Sequence, residues 1–160
     1  MTPSLLTDDI ARFMQSGISI SVASRDVRRV PSLARAAGCH VSADHQQVTL
    51  LLLPTQARQL LADIAASGVI AVVYSSPNTN RTLQVKGRLL SLQEATPSDA
   101  GLAQQHREAF AKILIPLGYA HDLAFAVHCQ NTTGMMAVVF SPTDIFEQTP
   151  GPKAGTRLGT

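Results

Sequence analysis

The segment Ile18–Ser24 alternates aliphatic residues with small ones, which is the pattern of a strand that buries one face. Two more strands are predicted over Pro31–Val41 and Gln47–Leu53, and the polar stretch 42–46 between them has the composition of a hairpin loop. A one-sided strand is stable only when its apolar face packs against other elements. These segments therefore predict an antiparallel meander around a shared core.

Three later segments also have strand patterns. Val69–Tyr74 is rich in β-branched residues, Met135–Phe140 is another apolar run, and a long strand over 83–92 contains Gly87 as a kink. Turn-forming residues at 75–80 separate the first of these strands from the long one. The pattern thus predicts five or six antiparallel strands in a small β-barrel, with helices inserted between them.

Capping residues mark three helices. Each begins with a Thr whose hydroxyl can accept a hydrogen bond from a backbone N–H of the first turn. The predicted helices are an N-terminal capping helix within 1–17 that starts at Thr7, one that Thr55 caps and that runs to Ser67, and one that Thr96 caps and that runs to about Leu117. The range 118–128 fits the apolar repeat of a helix and that of a strand, and it is interpreted as a helix. The range 143–160 is rich in Pro and Gly and is predicted to be an irregular tail.

Composition limits the class of protein. The chain has 160 residues, 45% of them hydrophobic and 15% charged, with a mean hydropathy of +0.12, so 1–160 is predicted to fold as one domain. A net charge of +2 and only 4% aromatic residues predict no nucleic-acid binding. No apolar run is long enough for a membrane span or a signal peptide, so a cytoplasmic protein without membrane contact is expected. The low charged fraction favours burial against a second copy.

The ionisable residues carry no enzyme signature of their own. Cys39 and Cys129 are far apart and have no basic cluster beside them, so both are interpreted as buried, unreactive thiols. The histidines lack metal-ligand spacing, and His106 on an apolar helix face is expected to be packed. No glycine-rich phosphate loop is present. The residues therefore predict no metal site and identify no catalytic residue.

Four motifs, in this order along the chain, carry a resemblance to a known family. They are Pro31-Ser-Leu-Ala-Arg35, Leu53-Pro-Thr-Gln-Ala-Arg58, Ser76-Pro-Asn-Thr-Asn-Arg-Thr-Leu-Gln-Val-Lys-Gly87 and Phe146-Glu-Gln-Thr-Pro-Gly-Pro-Lys-Ala-Gly155. They resemble the pyridoxamine 5′-phosphate oxidase-related family of FMN-binding split barrels, and the last is similar to its short bacterial members. The resemblance implies a six-stranded antiparallel split β-barrel with interrupting helices. It also implies a homodimer with FMN in two clefts at the subunit interface.

The resemblance further implies a set of phosphate ligands. Arg35 and Arg58 match the basic residues that hold the FMN phosphate, and Thr55 lies at a helix start whose free N–H groups suit a dianion. His40 stands where true pyridoxamine phosphate oxidases have a Lys, which implies weaker, pH-dependent phosphate binding. Leu52-Leu53 replaces their usual Tyr-Thr. These departures argue against a vitamin B6 oxidase.

The strand after the polar loop supplies the other predicted ligands, Arg81, Gln84 and Lys86. Gln84 matches a family Gln that hydrogen-bonds the flavin, and donors near the ring stabilise its reduced, anionic form. Gln84 and Lys86 share one face because side chains alternate along a strand. Arg81 is an odd number of residues from both, so it is expected on the opposite face unless a bulge intervenes.

Three functions follow from the resemblance. The first is a dimeric FMN-dependent oxidoreductase that acts on a small-molecule substrate by hydride transfer at flavin N5, a chemistry that needs no protein nucleophile. The second is a non-catalytic split barrel that binds FMN or haem as a carrier or sensor. The third is a cofactor-free dimeric module, which the departures at His40 and Leu52-Leu53 favour. Fold resemblance alone does not choose among them.

Overall fold

Strands and helices alternate along the chain largely as the turn and capping residues predict. The computed structural model describes residues 4–126 and 131–159, so His128 and Cys129 lie outside the described residues. The elements are α1 (Asp8–Met14), β1 (Ser19–Arg25), β2 (Pro31–Arg35), β3 (Gly38–Val41), β4 (Val48–Leu52), α2 (Pro54–Ser67), β5 (Val69–Ser75), β6 (Thr82–Glu94), α3 (Pro97–Leu114), a 3₁₀ turn (Ile115–Leu117), α4 (His121–Ala126), β7 (Met136–Glu147) and β8 (Arg157–Leu158).

All strand pairs are antiparallel, and the sheet closes on itself. The strand order is β2-β1-β5-β6-β7-β4-β3, with β8 beside β7. The two outermost strands, β2 and β3, are separated only by Ala36 and Ala37. The N–H of Ala36 donates to Ile20 on β1 at 3.0 Å, and the N–H of Ala37 donates to Leu51 on β4 at 2.7 Å. The bent strand Pro31–Val41 therefore pairs with both ends of the sheet and closes it into a barrel.

The barrel interior is filled by alternate residues of the strands. Ile20, Val22, Val72, Leu83 and Val85 are all at most 1% exposed. Helices α1 and α2 add their apolar residues to the same cluster. The period-two pattern seen in the sequence is thus the pattern of this core.

The helix termini confirm two of the three predicted caps. Thr7 accepts a hydrogen bond from the N–H of Ile10, and Thr96 forms a capping box with Asp99. Thr55 is not a cap, because α2 begins at Pro54 with Leu53 in the capping position. Pro suits the first helical position, since its fixed φ is helical and it has no N–H to leave unpaired.

Two predictions about strands are wrong. Over the described residues the sheet has eight strands rather than six, because the bent strand breaks between β2 and β3 and because β8 is added. The range 143–160 is not wholly irregular, since β7 continues to Glu147 and the chain then folds back as β8. Glu147 fixes this return: its N–H donates to Thr156 and its carbonyl accepts from Gly155. Such backbone pairing tolerates the Pro and Gly residues of the intervening turn.

The helices cover the outer surface of the barrel unequally. Ala103 of α3 packs with Leu51, Leu53 and Ala137 outside β4 and β7, so this side is covered. Helix α2 meets β1 and β2 from the interior side, where Ser32 donates to the buried Asp63 carboxylate at 2.6 Å. Helix α2 contacts β1 and β6, and its buried apolar residues belong to the interior cluster; the outward residues Ala23, Ala71 and Val73 belong to none of the core clusters of the described residues. None of the helices in 4–126 or 131–159 is long and apolar enough to cross a membrane.

Candidate functional site

The uncovered side of the barrel, which we call the open face, consists of the outward side chains of β2, β1, β5, β6 and the end of β7. Its central row crosses five strands through directly paired residues: Arg35, Ser21, Val73, Gln84 and Phe146. Adjacent strands are about 4.8 Å apart, so the backbones at Arg35 and Gln84 are roughly 14 Å apart. Arg35 and Gln84 are the long polar residues of this row, and the small side chains of Ser21 and Val73 lie between them.

Lys86 belongs to the neighbouring row of the open face. Its strand partners are Ala71 on β5 and Asp144 on β7. The Lys86 ammonium lies 4.9 Å from the centre of the Phe146 ring, a cation–π contact that holds it near Gln84. Gln84 and Lys86 therefore share one face, as the alternation along the strand predicts.

Arg81 has a different role in the structure. Its guanidinium forms an ion pair with Asp9 and lies 4.3 Å above the Phe13 ring, so it holds α1 against the start of β6. The hydrogen bond and charge of Arg81 lower the pKa of the Asp9 carboxyl. A part in cofactor binding stays a prediction for Arg81.

The remaining predicted ligands are exposed and lie on other elements. His40 is on β3 opposite Thr49, and Thr55 and Arg58 are in the first turns of α2, which bends at Ala57. In the part of the chain that the structure describes, no hydrogen bond, ion pair or ring contact joins these three residues to Arg35, Gln84 or Lys86. The structure therefore brings three of the seven predicted ligands onto one face.

Two further cations of the open face escaped sequence reasoning. Arg25 ends β1 and Arg88 lies opposite Val69 in the β5–β6 pair; both line a groove of about 480 Å³ that Lys86 also lines. Arg88 could have been found, since it follows Lys86 by two residues and so shares its face. Arg25 could not, because the pairing of β1 with β5 is a long-range property that no local pattern encodes.

The thiol of Cys39 is buried inside the barrel, as predicted. Its sulfur lies 3.6 Å from the Tyr74 hydroxyl oxygen. Burial raises the pKa of the Cys39 thiol to about 12, and the contact with Tyr74 only partly opposes this rise. A thiol that stays protonated is a poor nucleophile, so Cys39 belongs to the core and not to a reactive site.

The curved antiparallel barrel with inserted helices is a fold known from solved structures. The chain has the fold of the pyridoxamine 5′-phosphate oxidase-related FMN-binding split barrels, as its motifs led us to expect. No protein-family profile matches the sequence, and no curated protein matches it. The likeness to solved structures is therefore one of fold.

Three solved structures illustrate this likeness. A putative pyridoxamine 5′-phosphate oxidase from Lactobacillus delbrueckii is similar with a TM-score of 0.55 and 12% identity, over 91% of this chain and 97% of that one. An FMN-binding protein from Syntrophomonas wolfei has a TM-score of 0.55 and 12% identity, over 89% and 84% of the two chains. HutZ, a heme storage protein from Vibrio cholerae, has a TM-score of 0.51 and 13% identity, over 89% and 94%.

Proposed function

We propose that this chain is an FMN-binding flavoprotein, an oxidoreductase that acts on a small substrate as a homodimer. One observation carries the proposal: Arg35, Gln84 and Lys86 all belong to the open face, with small side chains between them. Such a surface offers a cation for a phosphate, donors for a polar ring edge, and a shallow floor for a flat ring system.

The donor set fits FMN chemically. No hydrogen bond or ion pair engages the Arg35 guanidinium within the described residues, so its donors are available to a phosphate dianion. The Gln84 amide can donate to a ring oxygen or nitrogen, and the Lys86 ammonium adds positive charge near it. Bound FMN would supply hydride chemistry at N5; the chain's part is to hold the phosphate, orient the ring and tune it by charge.

A second copy of the chain would complete the site. The small side chains of Ser21, Ala71 and Val73 lie among the longer ones of the open face, and Leu33 beside them is 70% exposed. Packing two such faces together would bury Leu33 and enclose a flat cofactor between the chains. His40, Thr55, Arg58 and Arg81 remain predicted ligands of the same cofactor, from either chain.

Titration of the purified protein with FMN tests the proposal. We expect saturable quenching of flavin fluorescence at one FMN per chain. Arg35→Ala and Arg58→Ala should each weaken binding at least tenfold, because a phosphate dianion would lose a charge-assisted hydrogen bond. Arg12→Ala, which removes an exposed arginine from α1, is the matched control and should bind as the parent does. A protein indifferent to FMN would refute the proposal and leave the cofactor-free dimer.

Haem binding is a second candidate function, favoured by the likeness to the heme storage protein HutZ. His40 is a candidate haem ligand, since its imidazole is exposed on β3 and no described residue engages it. Titration with haemin should then produce a Soret band that His40→Ala removes. His121→Ala, at another exposed histidine, should leave the band in place. Absence of the band with the parent protein would exclude this function.

A further inference from the structure

A groove crosses the open face beside the row that contains Gln84. It has a volume of about 480 Å³ and lies between the end of β1, the start of β5, the middle of β6 and the turn of β7 near Thr143. Its lining includes the small residues Ala23, Ala71 and Gly87. Small side chains surrounded by longer ones create a depression in the outer surface of the sheet.

The groove has an excess of positive charge. Arg25, Lys86 and Arg88 line it together with one carboxylate, Asp144. That carboxylate already accepts Arg157 Nη2 at 2.6 Å and Thr143 Oγ1 at 2.9 Å. Counting Arg157, four cations and one carboxylate give this small region a charge of +3, whereas the whole chain has +2. Within 4–126 and 131–159, no carboxylate oxygen lies within ion-pair distance of the three lining cations.

A β-bulge shapes the same wall of the groove. Lys86 pairs with Asp144, but the next residue, Gly87, pairs with Pro142, so Thr143 is an extra residue on β7. Its hydroxyl donates to Asp144, and the hydroxyl oxygen lies 3.3 Å from the backbone oxygen of Lys86, so the extra residue sits against β6. Bulges occur next to binding sites because they redirect side chains. Here the bulge lies between the Lys86 and Arg88 positions.

We propose that this groove binds the carboxylate or phosphate group of a small organic anion. Cations held together at the edge of an apolar depression repel one another until an anion neutralises them, and low-dielectric walls strengthen their field. Lys86 is two residues from Gln84, about 7 Å along the strand, so the anion would be held beside the proposed flavin surface. The anion's role as substrate rests on the proposed function; its binding to the groove does not.

Nuclear magnetic resonance on the full chain tests the groove, with inorganic phosphate and malonate as separate probes. We expect saturable shifts of the amide signals of Ala71 and Arg88. Arg88→Gln and Arg25→Gln should each weaken binding at least fivefold, and added salt should weaken it further. Lys112→Gln, which removes an exposed cation from α3, is the control and should leave affinity unchanged. Tighter binding of phosphate than of malonate would identify a phosphate ester, and the reverse order a carboxylic acid.

Four outcomes would overturn the inference. They are no saturable shift with either probe, equal weakening by Lys112→Gln, an equal loss of FMN affinity in Arg88→Gln, and conversion of a dimer to a monomer by Arg88→Gln. A loss of FMN affinity would assign Arg88 to the cofactor site. Conversion to a monomer would assign it to the contact between chains. If phosphate binds to the groove but FMN does not bind the protein, the proposed function fails while the groove site stands.

Discussion

His106 is a histidine of α3 with only 6% of its surface exposed. Its position on the apolar helix face led us to expect a packed residue, and the structure confirms it. Burial lowers the pKa of His106 to about 4, and a hydrogen bond with the backbone of Ile18 only partly opposes the lowering. In the folded protein the imidazole is therefore neutral down to about pH 4.

This residue predicts how stability depends on pH. The unfolded chain takes up a proton on His106 near the ordinary pKa of 6.5, well before the folded chain does. The free energy of unfolding should thus fall as pH drops from about 6.5 to about 4, by up to roughly 3 kcal/mol from this residue. Urea unfolding at pH 7, 6, 5 and 4 measures the slope.

Two variants separate His106 from the other histidines. His106→Gln should flatten the slope between pH 6.5 and 4, whatever its effect on stability at pH 7. His121→Gln, at a histidine whose side chain is 71% exposed, should keep the parent slope. Equal slopes in His106→Gln and the parent would contradict the assignment.

At the scale of elements, Gly87 sets how closely β6 approaches β7. A Cβ built on Gly87 would overlap the Phe140 ring and lie 2.5 Å from the carbonyl oxygen of Ser141. Phe140 is fully buried, so its ring has little room to move. The glycine predicted as a kink from the sequence is therefore a point of close packing beside the bulge.

Gly87→Ala should lower the free energy of unfolding by about 1–3 kcal/mol, because the added methyl group forces the β6–β7 crossing apart. The matched control is Gly101→Ala in α3, where nothing lies within 4 Å of the new Cβ. That substitution should raise stability by roughly 0.5–1 kcal/mol, since Ala is the better helix former. Denaturant unfolding of both variants measures these opposite effects. Equal stability of Gly87→Ala and the parent would show that the crossing can relax.

Local patterns predicted most elements, and they failed where pairing between distant segments decides the structure. Thr96 and Asp99 fixed the start of α3 because a capping box is a local interaction. The break at Ala36–Ala37 has no local signal, since it arises where the bent strand changes partner from β1 to β4. The short β8 likewise depends on its pairing with Ile145 and Phe146 of β7.

The candidate site, like the fold, could be predicted from the sequence only where the relation between residues is local. Gln84 and Lys86 could be placed on one face from strand alternation alone. Their relation to Arg35 could not, because it depends on the register of three strand pairs. Arg25 joins Lys86 and Arg88 in the groove for the same long-range reason.

At the scale of the whole molecule, the open face should be where two copies meet. Val73 lies in its central row, half-buried between Ser21 and Gln84. Val73→Arg would place an unpaired charge in the contact, and we expect it to convert a dimer into a monomer and to abolish FMN binding. Light scattering coupled to size-exclusion chromatography measures the mass.

The same substitution elsewhere is the control for this prediction. Val27→Arg adds an identical side chain at a loop position that is 90% exposed, and it should leave mass and FMN affinity unchanged. A dimeric Val73→Arg protein would show that the chains meet through another surface. A monomeric parent protein would remove the dimer from the proposed function.

The position of β7 has a consequence for how the chain acquires its structure. This strand pairs with β6 on one side and β4 on the other, yet it is synthesised after both of them. Until it emerges from the ribosome, both neighbours have open edges that can pair with another chain. The hairpins β1–β2 and β3–β4 can form early from local contacts, whereas barrel closure waits for residues more than eighty positions downstream of β4. We therefore expect slow refolding, and aggregation of nascent chains that stop before β7.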